Sequence, residues 1–478
     1  MNENKELIAK MMKTLEMVKL SNAKKEKYYE AKVRLKDLGI GLPPGMKKLN
    51  ASVDWPRVII DTIADRIEVK GITHSDVALN EWIQALMNEQ NIINEIDFAI
   101  KDSMIYGVGF LMVHSGDVEA GESDVLLSSE SPSMMTAEWD SRTGKITSAL
   151  RLIPGKESYE MHDGYILMTE DATITYDKHG EITHVDNHGL GVVPVVRIVN
   201  SARSSAVWGK SDITPSIMYL TDAAIRTTVG MEVSREFFSS PQRWILGADE
   251  SLFTDEDGNE IPAWESFIGR YLAIDRDEDG NMPQIGTFAA SSPEPYLAIL
   301  DTLAQQCASA GSIPDSYLGQ NKQSIPSSAD AIRVRENSFV SKINAKLPNI
   351  TTSIQEVFDI IFNFVGIPVE EPVNVSMASP QTPTPASTAD MLVKLIQIGA
   401  FSATGDFVYE SLGLSPAQIA QSRAEVAKAQ ASSILQKIQS LGQEARADED
   451  VQNMDDTARN GGQNQETEES EEEESSEE

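Results

Sequence analysis

One cysteine, Cys307, is all that 478 residues contain. A lone thiol cannot close an internal disulfide, and cysteine-rich zinc sites are excluded with it. Its place on the apolar face of a helical pattern predicts a small buried hydrophobe. Long apolar runs are also missing. The longest, Val108 to Val113 and the interrupted Val357 to Ile367, fall short of the roughly 18 to 20 residues that span a bilayer. The amino terminus, MNENKELIAK, has charges but no apolar stretch, so no secretory signal is expected. A soluble, non-exported chain with no membrane partner is the expectation. Positive charge is scarce as well, with 40 Lys and Arg against 74 Asp and Glu for a formal net charge of −34. Proteins that grip nucleic acid statically cluster cations against phosphates. If this chain meets DNA, it lets the DNA pass.

Catalytic signatures are absent too. Gly209-Lys210-Ser211 resembles the end of a phosphate-binding loop, but Ser204 stands where the first glycine is required. Asp275-x-Asp277-x-Asp279-Gly280 matches the first half of a calcium loop, yet Gly286 replaces the bidentate glutamate and Pro283 interrupts the run. An exposed turn is the better reading. His184-x-x-x-His188 has metal-ligand spacing only on a helix, and it lies in strand and turn sequence. No serine sits in a G-x-S-x-G elbow. No enzyme, metal or cofactor is expected.

What is present is an α+β chain whose 478 residues suit two to four domains and whose 41% hydrophobic content is enough for real cores. Residues 3–38 read as a helix with Leu7, Met11, Leu15 and Val18 on one stripe, ended by Leu42-Pro43-Pro44-Gly45. Asp54, as a cap, and Pro56 start a helix that buries Val58, Ile59, Ile60 and Ile67. Residues 76–106 read as helical and end at Tyr106-Gly107-Val108-Gly109, before a buried strand from Phe110 to Val113. From Met134 to Asn200 the period changes to two. Turn pairs at Asp140-Ser141, Asp163-Gly164, His179-Gly180 and His188-Gly189 separate strands such as Ser148 to Ile153, Ala172 to Tyr176 and Val192 to Val199. An antiparallel sheet follows from this pattern.

Helix returns from Asp212 to Phe238, with Thr214-Pro215 as cap and first-turn proline. Between Pro241 and Ser292 lies an insertion with eleven acids against three arginines. There Arg270 to Ile274 and Gln284 to Phe288 read as a hairpin around Asp279-Gly280. Two further helix patterns flank a polar loop from Gly311 to Ser328. The first carries Leu297, Leu300, Ala304 and Cys307 on one face; the second carries Phe339, Ile343, Ile350, Ile354 and Ile361. Such a loop lies in water or against a polar ligand, since a dry site would strand its backbone groups. Pro348 either kinks the second helix or marks the meeting of two. A Pro, Ser and Thr linker from Glu370 to Thr388 leads to helices over 389–441. The tail from Gln443 to Glu478 holds fifteen acids against two arginines, too self-repelling to fold.

Seven strings in this order resemble the portal proteins of long-tailed bacteriophages. They are Asn50 to Asp61, Tyr106-Gly107, Leu190 to Val195, Tyr219 to Ala224, Phe237 to Trp244, Ser291 to Pro293, and Ser328 to Ile332, within a similarity over roughly 25–425. The resemblance implies a non-enzymatic ring of about twelve identical subunits at one capsid vertex, through which double-stranded DNA is packaged and ejected. It implies a fold of wing, stem, clip and crown, with long helices, an antiparallel wing sheet and a small α/β clip. Residues 1–211 and the long helix 329–370, kinked near Pro348, would be wing. Helices 212–240 and 293–311 would be stem, 241–292 clip, 312–328 a tunnel loop, 371–388 linker, 389–441 crown and 442–478 disordered tail.

In that picture Gln320, Asn321, Lys322, Gln323 and Ser324 touch the DNA backbone in the channel. Acidic loops at Asp255, Glu256, Asp257, Asp275, Asp277 and Asp279, with Trp264 and Tyr271 as anchors, dock the terminase motor and then a head-to-tail adaptor. Major capsid and scaffolding proteins complete the implied partners. The implied places are the virion and, during assembly, the host cytoplasm. Rival readings are another phage ring component, from tail or baseplate, or a metal-dependent phage nuclease. Because the tail has no means to fold, removing Gln465 to Glu478 is expected to leave the thermal melting midpoint unchanged; a large drop in calorimetry would refute this.

Overall fold

The computed structural model describes residues 2–35, 51–117, 121–155, 162–239, 243–246, 284–287, 292–319, 329–381, 385–403, 405–412, 418–428 and 431–432. They fall in two compact units, Met1–Gln381 and Thr382–Glu478.

The first unit is mixed helix and antiparallel sheet. It opens on helix α1 (Asn2–Tyr29), which stops short of the expected residue 38. Helix α2 (Trp55–Ala64) does begin after Asp54 with an early proline, but the Asp54 side chain makes no capping bond. Only its carbonyl serves, accepting from Val58 N–H at 3.0 Å. Strand β1 (Val69–Thr73) follows. The helical run expected over 76–106 is two helices, α3 (Val77–Gln90) and α4 (Ile92–Tyr106), parted at Asn91 with φ 52°. Asparagine tolerates this left-handed backbone better than most residues, and one such residue ends a helix. Asp76 caps α3, its Oδ1 accepting from Leu79 N–H at 2.9 Å. Gly107, at φ 109°, ends α4 where a side chain would be strained.

Two sheets stand where a single one is expected. Strands β2 (Val108–Ser115), β3 (Val125–Glu130) and β9 (Val195–Val199) form one in the order β3-β2-β9. Strands β4 (Met135–Trp139), β5 (Ile146–Pro154), β6 (His162–Met168), β7 (Thr173–Asp177) and β8 (Ile182–Asp186) form a meander in chain order. The expected turn at Asp163-Gly164 is inside β6. A Cβ on Gly164 would come within 2.2 Å of the Tyr176 carbonyl oxygen, so this glycine serves a close strand approach rather than a turn.

Side-chain alternation sorts the core into layers. On β2, Phe110 and Met112 face the five-stranded sheet with Ala149 and Met168, while Leu111 and Val113 join the helical core. Burial on both faces explains why β2 reads as an unbroken apolar run. Leu150 and Leu167 point to the far face of the five-stranded sheet, where Ile8, Met11 and Leu15 of α1 cover them.

Helix α5 (Pro215–Ser239) begins with Thr214 as cap, its Oγ1 accepting from Ile217 N–H at 3.3 Å. Strands β10 (Arg243–Leu246) and β11 (Gln284–Thr287) pair antiparallel. The expected strand near Gln284 therefore exists, with Arg243–Leu246 as its observed partner; Arg270 to Ile274 lie outside the described residues. Helix α6 (Glu294–Gly311) returns alongside α5, Tyr296 packing near Gly230. Ala304 and Cys307 are buried as expected, but Leu297 is half exposed. Helix α7 (Ala329–Val365) runs 37 residues with Pro348 inside it, and Phe339, Ile343, Ile350, Ile354 and Ile361 are all buried.

The stretch read as linker contains strand β12 (Asn374–Met377), which pairs with β1 and closes the unit. In the second unit, helix α8 (Pro385–Gln397) is followed by a connecting stretch whose Phe401 stacks on Phe407 of helix α9 (Asp406–Ser411) at 4.5 Å, and residues 418–428 are helical.

Candidate functional site

The expected contact residues Gln320, Asn321, Lys322, Gln323 and Ser324 lie outside the described residues. So do Asp255, Glu256, Asp257, Trp264, Tyr271, Asp275, Asp277 and Asp279. The mountings of both segments are described. For the acidic insertion, the mounting is the β10–β11 pair, from Arg243 opposite Thr287 to Leu246 opposite Gln284. A few backbone hydrogen bonds thus gather the two ends of the insertion.

The polar loop has a stronger mounting. Helix α6 ends at Ser312, φ 57°, and Ile313 N–H reaches back to the Ala308 carbonyl at 3.0 Å. A short 3₁₀ turn, Asp315–Tyr317, follows. Tyr317 packs on Phe339 of α7 with ring centroids 6.4 Å apart, and Arg335 lies 3.9 Å from Asp315. Lys342 of α7 donates to the Gly311 carbonyl, the last of α6, at 2.9 Å. The contacts of Phe339, Arg335 and Lys342 tie the near end of the loop to the helix that follows it.

Beneath them lies an ion cluster. The Asp212 carboxylate, 7% exposed, takes Lys342 at 3.0 Å on one oxygen and Lys346 at 2.8 Å on the other. Lys346, 8% exposed, also donates to Asn200 Oδ1. Asn200 Nδ2 donates to Asp212 at 3.0 Å and to the Lys210 carbonyl at 2.7 Å. Asp212 N–H bonds the Met104 carbonyl at 2.9 Å, and Ser211 Oγ bonds that of Ile105 at 2.6 Å. The end of β9, the last turn of α4, the approach to α5, the end of α6 and the middle of α7 thus meet at one carboxylate.

Burial pushes the Asp212 pKa upward, but the two ammonium groups and their hydrogen bonds outweigh it and hold the carboxyl below its ordinary range. Burial lowers the Lys346 pKa against the pull of Asp212. This chemistry is that of a fixed joint, since every partner is held by another. Sequence reading missed it. Its signal was two lysines at i and i+4 inside the buried stripe of α7, where a charge needs a partner. Among the described residues, no group of three or more His, Cys, Asp or Glu side chains is placed to hold a metal ion.

A family profile described as "Phage portal protein, SPP1 Gp6-like" matches residues 19–404. The chain belongs to the phage portal protein family. That family is a structural one, and its members are components of the virion. Curated portal relatives include the portal protein of Mycobacterium phage L5, 29% identical over 384 residues and covering 77% of each chain. The portal protein of Mycobacterium phage D29 is 29% identical over 407 residues, covering 82% of each. Among solved structures, one chain of the neck of a native GTA particle computed with C12 symmetry has a TM-score of 0.40 at 14% identity, over 76% of this chain and 89% of that one. One from the neck of an empty GTA particle computed with C6 symmetry scores 0.42 at 14% identity, over 79% and 92%. At these scores the likeness places no individual element of the portal.

The joint makes a measurable claim. Asp212→Asn strands the Lys346 charge in the core and is expected to destabilise the first unit by about 3–5 kcal/mol. Adding Lys346→Met is expected to recover much of that loss, because the unpaired charge leaves with its partner. Urea unfolding of the single and double variants measures the difference, and equal loss in both would contradict the assignment.

Proposed function

We propose that this portal assembles as a closed ring of about twelve copies at one capsid vertex, and that double-stranded DNA passes through its centre during packaging and ejection. The observation that carries the reading is the family match over 19–404, which runs from the second half of α1 through helix α8. Electrostatics agree with it. Outside the acidic tail the body still carries −21, so phosphates are repelled at long range and the duplex slides. Apolar side chains left to solvent on one copy point the same way. Tyr219 of α5, Leu297 and Ile299 of α6 and Val334 of α7 suit contacts that a ring would cover.

In this assignment, residues 1–211 and the helix over 329–370 form the wing, α5 and α6 the stem, 241–292 the clip, 312–328 the tunnel loop, 371–388 a linker, 389–441 the crown and 442–478 the tail. Gln320, Asn321, Lys322, Gln323 and Ser324 face the DNA backbone, and Lys322, the loop's one cation, makes a ring of shallow phosphate contacts. The ion cluster at Asp212 is the rigid base from which the loop projects. The clip, carrying Asp255, Glu256, Asp257, Trp264, Tyr271, Asp275, Asp277 and Asp279, meets the terminase motor and later the head-to-tail adaptor. Capsid and scaffolding proteins are further partners during assembly.

Mass photometry and negative-stain microscopy of purified protein are expected to give rings with a central hole about as wide as a duplex. Persistent monomers at micromolar concentration, with no rings in capsids, would overturn the reading. Lys322→Ala is expected to leave rings intact while lowering the length or efficiency of DNA packaged; normal packaging would remove Lys322 from the proposed contact set.

A further inference from the structure

Among the described residues, two surfaces of the first unit have no partner, and each supplies what the other needs. One is the outer face of α1. Its inner face is pinned by Ile8, Met11 and Leu15 and by buried Asn22, which donates to the Pro132 carbonyl at 3.2 Å; one turn past Lys24, buried Tyr28 Oη donates to Asp222 at 2.8 Å. At a hundred degrees per residue, Lys13, Met17, Leu20 and Lys24 share a stripe on the opposite side. Met17 is 66% and Leu20 84% exposed, an apolar pair bracketed by lysines. Neither Lys13 nor Lys24 is ion-paired to a described residue, and Lys24 sits 6.0 Å from the centre of its own helix's Tyr28 ring.

The other surface is a cleft of about 610 Å³ between the β1–α3 turn and the chain leaving α7. Its apolar lining is Leu79, Trp82, Pro368 and Val369, and carboxylates at Asp76, Glu370 and Glu371 stand on its rim. The cleft is preformed. His74 Nδ1 accepts from Asp76 N–H at 3.0 Å, so Nε2 carries the proton and reaches the Glu371 carbonyl at 3.2 Å. Ser75 Oγ donates to the Glu371 carboxylate at 2.9 Å. No lysine or arginine among the described residues neutralises the three acids.

We infer that the Lys13-Met17-Leu20-Lys24 stripe of one copy seats in the His74-Trp82-Glu371 cleft of the next. Helix α1 packs on α2, α4 and the edge of the five-stranded sheet, whereas β1, α3 and the end of α7 build the cleft. A helix held so firmly cannot turn into its own copy's cleft. Ring closure joins two different faces of one protein, and these two match in charge and in apolar character. The cleft admits a few side chains, Leu20 and Met17 seated on Trp82 with lysines reaching the rim. The inference rests on the ring reading and adds to it a named contact.

The test uses the full chain. Leu20→Cys protein and Ala78→Cys protein, mixed and allowed to assemble, are treated with a short bis-maleimide; native Cys307 is buried and stays silent. A covalent dimer that needs both variants is expected. Rings without that dimer overturn this contact and leave the ring reading standing, whereas monomers alone overturn both. Charge reversal provides a second arm. Lys13→Glu with Lys24→Glu is expected to raise the concentration for half-assembly about tenfold, and combining it with Glu370→Lys and Glu371→Lys to restore assembly. Reversal without effect, or without rescue, rejects the pairing.

Discussion

One carboxylate, Asp212, holds the portal subunit's principal helices in register. Lys342 and Lys346 reach it from α7, Asn200 from the end of β9, and its own backbone is tied to α4. A buried ion pair is costly to desolvate and often contributes little net stability. Its value is geometric. Apolar packing sets the helices by shape alone, whereas a three-way hydrogen-bonded charge adds a directional constraint with a single arrangement. Lys342 carries that arrangement on to the last carbonyl of α6, where the polar loop begins.

Much of the architecture was legible in the sequence, for physical reasons that also mark where legibility stopped. The buried stripe of α7, from Phe339 to Ile361, follows helical spacing over many turns. Strand β5 shows because its residues alternate between two cores, and β7 because threonines alternate with Ile174 and Tyr176, which face the core under α1. Asn91 was hidden because a single left-handed residue leaves apolar periodicity almost intact. The five residues of β1 and four of β12 were hidden because each is short, and β12 lies among prolines and serines that read as linker. Their pairing joins Val69 with Met377, a relation that no local pattern encodes.

The candidate site divides in the same way. A polar loop between two helices was visible as composition, but its support was not, because Asp212, Asn200 and Lys346 are far apart in the chain and meet only after folding. Leu297 shows the opposite failure. Its helical position matched that of Cys307, yet one copy leaves it half exposed. Periodicity tells which face is apolar and is silent on whether the covering surface belongs to the same chain.

The pairing of β1 with β12 also bears on the order of events in the cell. Strand β1 waits for a partner some three hundred residues downstream, at Asn374–Met377. Until the ribosome has released that segment, Val69 and Ile72, both fully packed in the finished unit, lack part of their cover. A nascent chain therefore cannot complete its first unit before synthesis has passed α7. In the proposed ring, recruitment is thereby restricted to nearly finished chains, and a truncated product lacking β12 would be left out by its own incomplete fold.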